Sequence, residues 1–456
     1  MVSRMTNAQS AADQPENGRK VAETGELHEL KRVVGLWGAV MMGLGSILGT
    51  GVFVSLAIAT GVAGPAVVWA IAAAALVAIC NGLSSAQLAA AYPVSGGTYE
   101  YGYRLLNPSL GFTAGWMFLC AKSASAATAA LGFAGALGQV LSITEPWTRT
   151  LMAEVMVLVL TILIVGGIRR SNYTNMCIVI VTIVALLVFV FSGLTTAWHQ
   201  RAASFVPLFQ PVDEDILPWT GFLQSIALMF VAFTGYGRIA TLAEEVRQPR
   251  RTIPIAVIVT LLISMALYIM VGFVAIGAVG ATDFAGAGIG DVAPLQVISD
   301  KLGLHVVSVV VAVGAITAML GVSLNLILGL SRVALAMARR RDVPGYFARV
   351  RAKSGSPDRA IWLVAILIFG LILIGDVKVT WSFSAFTVLI YYAITNLAAI
   401  RLPKHQRLYP VVIAWLGLAS CLGLAFWVEP SVWLLGLCLI AVGLVWHAIA
   451  QRLRTT

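Results

Sequence analysis

Residues 43–53 read Gly43-Leu44-Gly45-Ser46-Ile47-Leu48-Gly49-Thr50-Gly51-Val52-Phe53, in the middle of the first long apolar segment, residues 33–59. Four glycines in nine residues are poor helix formers, each costing about 1 kcal/mol against alanine. In hydrocarbon, bare N–H and C=O groups are tolerated only where the backbone lines a cavity or is buried in protein. The stretch therefore predicts a helix broken at mid-membrane. Its exposed carbonyls suit a cation or an ammonium group. The N–H groups opening the second half-helix suit a carboxylate, aided by the positive end of the helix dipole. A free α-amino acid carries both partners.

The rest of the chain supplies the membrane. It has 456 residues, 59% hydrophobic and 11% charged, with a mean hydropathy of +0.91. Apolar runs of about 20 residues, each long enough to span, recur along nearly its whole length. This composition predicts an all-α integral membrane protein. Residues 1–30 are polar and of mixed charge, and read as a disordered cytoplasmic tail. No apolar core followed by a cleavage site lies near Met1, so no cleaved signal peptide is expected. The net charge of +10 reads as topology under the positive-inside rule, not as nucleic-acid binding. The five cysteines, Cys80, Cys120, Cys177, Cys421 and Cys438, lie in apolar runs without CxxC or metal-like spacing. They read as core residues, and neither a metal nor a cofactor is expected.

Twelve spans can be counted: 33–59, 66–91, 109–141, 150–168, 173–198, 218–243, 253–280, 304–337, 360–375, 380–400, 410–428 and 431–450. With the N-terminus in the cytoplasm, 23 of the 30 Lys and Arg fall on the cytoplasmic side, four outside and three within spans. That asymmetry predicts a multi-pass protein of the cell membrane with both termini cytoplasmic. Span six carries a second interruption, Thr234-Gly235-Tyr236-Gly237. Residues 31–200 and 215–401 then form two five-span blocks, each opening on a glycine-interrupted helix; residues 408–452 carry spans 11 and 12. Five is odd, so the blocks run in opposite orientations. Paired interrupted helices in inverted halves point to a secondary transporter with its site at the repeat interface. The competing reading is that the glycines only ease helix packing.

Two loops add detail. Glu100 and Arg104 stand at i,i+4 spacing and predict a short cytoplasmic surface helix. The run Glu244-Glu245-Val246-Arg247-Gln248-Pro249-Arg250-Arg251 carries both signs, as salt bridges holding one state of a cycle would, or as a solvated loop would.

Four stretches resemble the amino acid–polyamine–organocation permease family, which has the LeuT-type inverted repeat. They are LGTGVF in span 1, YPVSGGTYEYGYRLLNPSLGFTAGW before and into span 3, FTGYGRIATLAEEVRQPRRTIP across span 6, and LNLILGLSRVALAMARRRDVP ending span 8. The resemblance implies alternating-access transport by two inverted five-helix repeats with broken helices 1 and 6, most often of amino acids. By position, Ile47 matches the carbonyl that receives the substrate amine. Thr50 and Gly51 match the amides that take its carboxylate. Val231 and Thr234, with Gly235 in the same turn, match the second broken helix. Some proton-coupled members carry a lysine in span 5; the matching position here is Thr182, so that mechanism is not carried over. A sodium site near Thr182 and Ser323 stays open beside proton coupling.

Three cations lie inside spans: Lys122, Arg238 and Arg332. Lys122 is 13 residues into span 3, about 20 Å along it and too deep to snorkel. A buried ammonium is costly unless paired or neutralised. Three roles are open to it: standing in for a cation at the broken helices, meeting the substrate carboxylate, or carrying a proton. A fourth, purely structural reading has it capping carbonyls. Arg238, always charged, suits a structural tie or an anion better than proton transfer. Arg332 lies near the cytoplasmic end of span 8 and can snorkel. Fixed cations near the site disfavour a cationic substrate, leaving neutral or acidic amino acids. Phe230, Phe233 and Tyr236 flank the second break as gate candidates, although aromatics in apolar helices more often pack. No repeated polar ring marks a channel, and the five scattered histidines show no catalytic or metal spacing, so an enzyme is not expected. A transporter-like nutrient sensor, or a permease for another small organic solute, would share this fold and site.

Overall fold

The computed structural model describes residues 34–92, 96–166, 172–241, 246–288, 293–351, 356–374 and 376–455. The tail at 1–30 and the charges Glu244 and Glu245 lie outside them. The described chain is helical; its one β feature is an isolated bridge between Val34 and Val246. The first half contains α1 (Leu36–Ile47), α2 (Leu56–Ala63), α3 (Val67–Ala91), α4 (Thr98–Leu105), α5 (Pro108–Val140), α6 (Pro146–Val165) and α7 (Asn172–Ser204). The second contains α8 (Pro218–Phe233), α9 (Gly237–Thr241), α10 (Pro249–Val279), α11 (Ala281–Gly286), α12 (Pro294–Lys301), α13 (His305–Arg339), α14 (Asp358–Ile372) and α15 (Val377–Arg401). α16 (Val411–Ala425) and α17 (Pro430–Thr455) follow. Nine helical stretches among the described residues are long and apolar enough to cross a membrane, and α1 and α16 are shorter apolar helices.

Local chemistry starts these helices where the sequence allows. Asn107 accepts from the Leu110 N–H at 2.8 Å with Pro108 behind it, and Asp376 accepts from Val379 N–H at 2.9 Å. Such caps satisfy donors that the first turn leaves open.

The first interruption is a true break. α1 stops at Ile47, Leu48 turns to φ −72°, ψ 97°, and the chain resumes as a π-helical turn over Gly51–Ser55 that runs into α2. Its first hydrogen bonds run from the Val52 and Phe53 N–H groups, both to Gly49 O at 3.2 Å. Gly43 and Gly45 do not break anything. They lie within α1, where a Cβ would strike Ile239 and Thr260, or Asn175. For these two the packing reading holds.

The second interruption is milder than expected. α8 passes through a 3-10 turn at Thr234–Tyr236 into α9 without a gap. A 3-10 turn keeps its backbone bonds by shifting them to i→i+3, so the helix is tightened, not unwound. The two interruptions touch. A Cβ on Gly235 would collide with the Ser46 carbonyl and stand 2.7 Å from Ile47 N, so only glycine lets these backbones meet.

The helix pairings come in reciprocal sets. α3 packs on α8 as α10 packs on α1, and α15 packs on α5 as α7 packs on α13. α16 lies on α15 and α3, and α17 on α5 and α15. α4 is the expected short helix, but Glu100 ignores Arg104. Its two carboxylate oxygens accept from Arg340 Nε and Nη2, at 3.0 and 2.6 Å, while Arg104 lies over the Tyr92 ring. A bidentate guanidinium pair outcompetes a one-turn contact on an exposed helix face. Of the cysteines, Cys421 is buried, whereas Cys177 and Cys438 are exposed on the outside of the bundle. Lipid is as apolar as a protein core, so hydrophobicity alone does not separate the two.

Candidate functional site

A cavity of about 130 Å³ lies where α1, α5, α8, α13 and α15 converge on the two interruptions. Ile47, Thr50 and Gly51 from the first line it, as do Val231, Thr234 and Gly235 from the second. Lys122 and Arg238 also line it. The structure thus brings together every residue expected to bind a substrate. α13 contributes from Val322 to Val333, and Gly96 and Gly97 contribute just before α4, so the cavity extends toward the end of the bundle that carries α4. Beyond Lys122, in the other direction, it is shut. Ser125 bonds Ser384 at 2.8 Å, Thr128 bonds Thr380 at 2.9 Å, and the Trp381 indole donates to Leu228 O at 3.0 Å.

Lys122 is 8% exposed, and its Nζ donates to Thr234 Oγ1 at 2.7 Å. The Thr234 hydroxyl in turn donates to Val231 O at 2.7 Å. The ammonium is therefore tied to the second interruption and keeps two further N–H donors. Among the described residues, no carboxylate forms an ion pair with it.

The Ile47 carbonyl accepts the Tyr268 hydroxyl at 2.8 Å. A carbonyl has two lone pairs, so it can still take an amine. The N–H groups of Thr50 and Gly51 precede the first bonds of the π-helical turn and border the cavity. Ser55 Oγ donates to Thr50 O at 2.9 Å and steadies that turn.

Two tyrosines escaped the sequence reading. Tyr268 of α10 satisfies the end of α1, and Tyr392 of α15 reaches Thr234 O at 3.4 Å. Gly51 is part of the reason Tyr268 fits: a Cβ there would stand 2.7 Å from its hydroxyl. A tyrosine in an apolar helix carries no signal of its partner until the helices are docked. The gate candidates Phe230, Phe233 and Tyr236 do not line the cavity in this conformation. They pack against Tyr392, Tyr268 and Tyr392, with ring centroids 5.6, 5.3 and 5.5 Å apart. Thr182 Oγ1 donates to Ile178 O at 2.8 Å within its own helix, and the buried Ser323 hydroxyl has no hydrogen-bond partner among the described residues.

Comparison with known proteins places these features in context. A family profile described as "Amino acid permease" matches residues 34–455. An uncharacterized transporter of Mycobacterium tuberculosis is 40% identical over 438 residues, covering 94% of each chain. A branched-chain amino acid permease of Bacillus subtilis is 29% identical over 75% of this chain and 74% of its own length. A methylthioribose transporter of the same organism is 25% identical over 93% of this chain and 94% of its own.

Proposed function

Since the chain belongs to the amino acid permease family and is a membrane transporter, we propose that it carries neutral or acidic amino acids across the cell membrane by alternating access. The observation behind this reading is the meeting of both interruptions and Lys122 around one cavity. The Ile47 carbonyl, with those of Val231 and Thr234, receives the ammonium group. The Thr50 and Gly51 amides receive the carboxylate, at a helix start whose dipole favours an anion. Lys122 stands beside that carboxylate and is also the candidate proton carrier, with sodium coupling the alternative. Arg238 lines the same cavity. Three cations in the lining, Lys122, Arg238 and the exposed Arg332, repel an arginine or polyamine side chain, the more so where the dielectric is low.

The architecture proposed for this cycle is twelve spans, with 31–200 and 215–401 as inverted repeats and both termini cytoplasmic. The reciprocal packing of α3 on α8 and α10 on α1 supports the repeat. The 23-to-4 division of Lys and Arg supports the orientation. On it, the cavity extends toward the cytoplasm and the Ser125–Ser384 pair closes the outer half.

The test begins with ligand-induced thermal shifts of the purified protein against the twenty amino acids, polyamines and sugar thioethers. Uptake into proteoliposomes follows. Stabilisation and uptake of a neutral or acidic amino acid are expected. Strong inhibition by arginine, with none from neutral or acidic competitors, overturns the substrate class. Binding without flux converts the reading to a nutrient sensor. A response to sugar thioethers alone shifts it to the solute class named for the methylthioribose relative.

A further inference from the structure

The charges lining the cavity are all of one sign. They belong to Lys122, Arg238 and Arg332, and among the described residues no Asp or Glu lines it. The three cations are not equivalent. Lys122 is 8% exposed and Arg238 is half-buried, whereas Arg332 is exposed. Water screens the last of these well and the first two poorly. A cation withdrawn from water is costly until an anion meets it.

The two sheltered cations belong to one interruption. Lys122 Nζ donates to Thr234 Oγ1 at 2.7 Å. Arg238 follows Thr234 by four residues, past the 3-10 turn and in α9. That is about 7 Å along the axis at the rises of 3-10 and α winding. The second interruption thus presents cationic heads at two levels. Lys122 stands beside the seat proposed for the α-carboxylate, and Arg238 about one turn further toward α9.

The facing wall repeats the trend. On α13, Val322, Asn325, Gly329 and Arg332 line the cavity at spacings of three, four and three, which is one face of a helix. That face runs about 15 Å. Asn325, at its inner part, places Nδ2 3.5 Å from Ser46 Oγ beside the first interruption. The charged end of the same face is the exposed Arg332.

An α-amino acid with an uncharged side chain brings one carboxylate to two sheltered cations, and none to the level of Arg238. A cationic side chain adds repulsion. A side-chain carboxylate supplies the second anion. A guanidinium carries five N–H donors in a planar fork, so it can keep a protein neighbour on one edge and take a carboxylate on another. Phe118 and Leu326 add apolar lining that suits the methylene groups between two carboxylates.

Resting on the amino-acid reading above, we propose that the solute is a dicarboxylic α-amino acid of the aspartate or glutamate type, and that Arg238 receives its side-chain carboxylate. Lys122, with the Thr50 and Gly51 amides, receives the α-carboxylate. Arg332 draws the anion in from the exposed side. Both carboxylates are ionised at neutral pH, so the choice of solute is one of charge.

The test uses the full chain, in detergent and in proteoliposomes, at neutral pH. Glutamate and glutamine differ in charge but hardly in shape, as do aspartate and asparagine. The half-saturating concentration for thermal stabilisation is measured for all four, and uptake of radiolabelled glutamate and glutamine is compared. The better acid is expected to half-saturate about tenfold or more below its own amide, the effect of one hydrogen bond between charged groups. Arg238→Gln is expected to bring that ratio close to one. Arg238→Lys, which keeps the charge and loses the fork, should keep part of it. An amide that binds as well as its acid in the unmodified protein overturns the inference and leaves the amino-acid reading standing. So does stabilisation by other neutral amino acids with no response to either acid. If no amino acid stabilises the protein or enters the vesicles, both fall. A preference for the acid that survives Arg238→Gln overturns the role of Arg238. Should Arg238→Gln not fold, an undiminished ratio in Arg238→Lys overturns it equally.

Discussion

The ammonium of Lys122 donates to the hydroxyl of Thr234 across 2.7 Å, joining α5 to the 3-10 turn between α8 and α9. The Thr234 hydroxyl donates a hydrogen bond in turn to Val231 O at 2.7 Å, so charge, hydroxyl and helix carbonyl form one chain. Hydrogen bonds in such a chain polarise one another in low dielectric. A substrate or proton that alters Lys122 is thereby felt directly at the second interruption.

Replacing Lys122 with methionine removes the charge and keeps most of the volume. pH-driven uptake into proteoliposomes is expected to vanish while solute exchange persists. Unchanged pH-driven uptake would remove Lys122 from the coupling step.

Thr234→Val keeps the shape and deletes the hydroxyl. It leaves the ammonium short of its acceptor and Val231 O short of a donor, at a cost of about 1–3 kcal/mol. A lowered melting temperature and weakened uptake are expected together. If stability falls and transport does not, Thr234 is only structural.

Gly235→Ala places a methyl group against Ser46 and Ile47 and must push the interruptions apart. Loss of transport and of ligand-induced stabilisation is expected. Gly329→Ala, with nothing within 4 Å, is the control and should change stability by no more than about 1 kcal/mol. Equal damage from both would show that the contact at Gly235 is not what matters.

Tyr268→Phe removes the donor to Ile47 O and should cost about 1 kcal/mol of stability. Because that carbonyl is the seat proposed for the amine, the thermal shift given by a bound amino acid should also shrink. A full shift with unaltered uptake would detach Tyr268 from the site.

Much of this was legible before folding. Long apolar runs forced helices because hydrocarbon leaves backbone groups no other partner. The break after Ile47 was legible from Gly49 and Gly51, and the burial of Lys122 from its depth in α5. Other features were not. Gly43 and Gly45 look like breakers in the sequence but serve close packing, since a glycine's role depends on what lies opposite. Glu100 is paired not with the neighbour four residues on but with Arg340, 240 positions away. Tyr268 and Tyr392 showed nothing in advance, because a hydroxyl in an apolar helix is silent until an acceptor faces it.

The order of residues by itself determined that this chain is a bundle of membrane helices, the first of them interrupted, with a cation at mid-depth. Both follow from local rules: hydropathy along the chain, and the poor fit of glycine to a helix. Only the tertiary structure decided that the second interruption stays wound, that Lys122 reaches Thr234, and that Arg238 lines the same cavity. Those outcomes depend on which helices pack side by side, and hydrophobic attraction, being non-directional, does not encode it residue by residue.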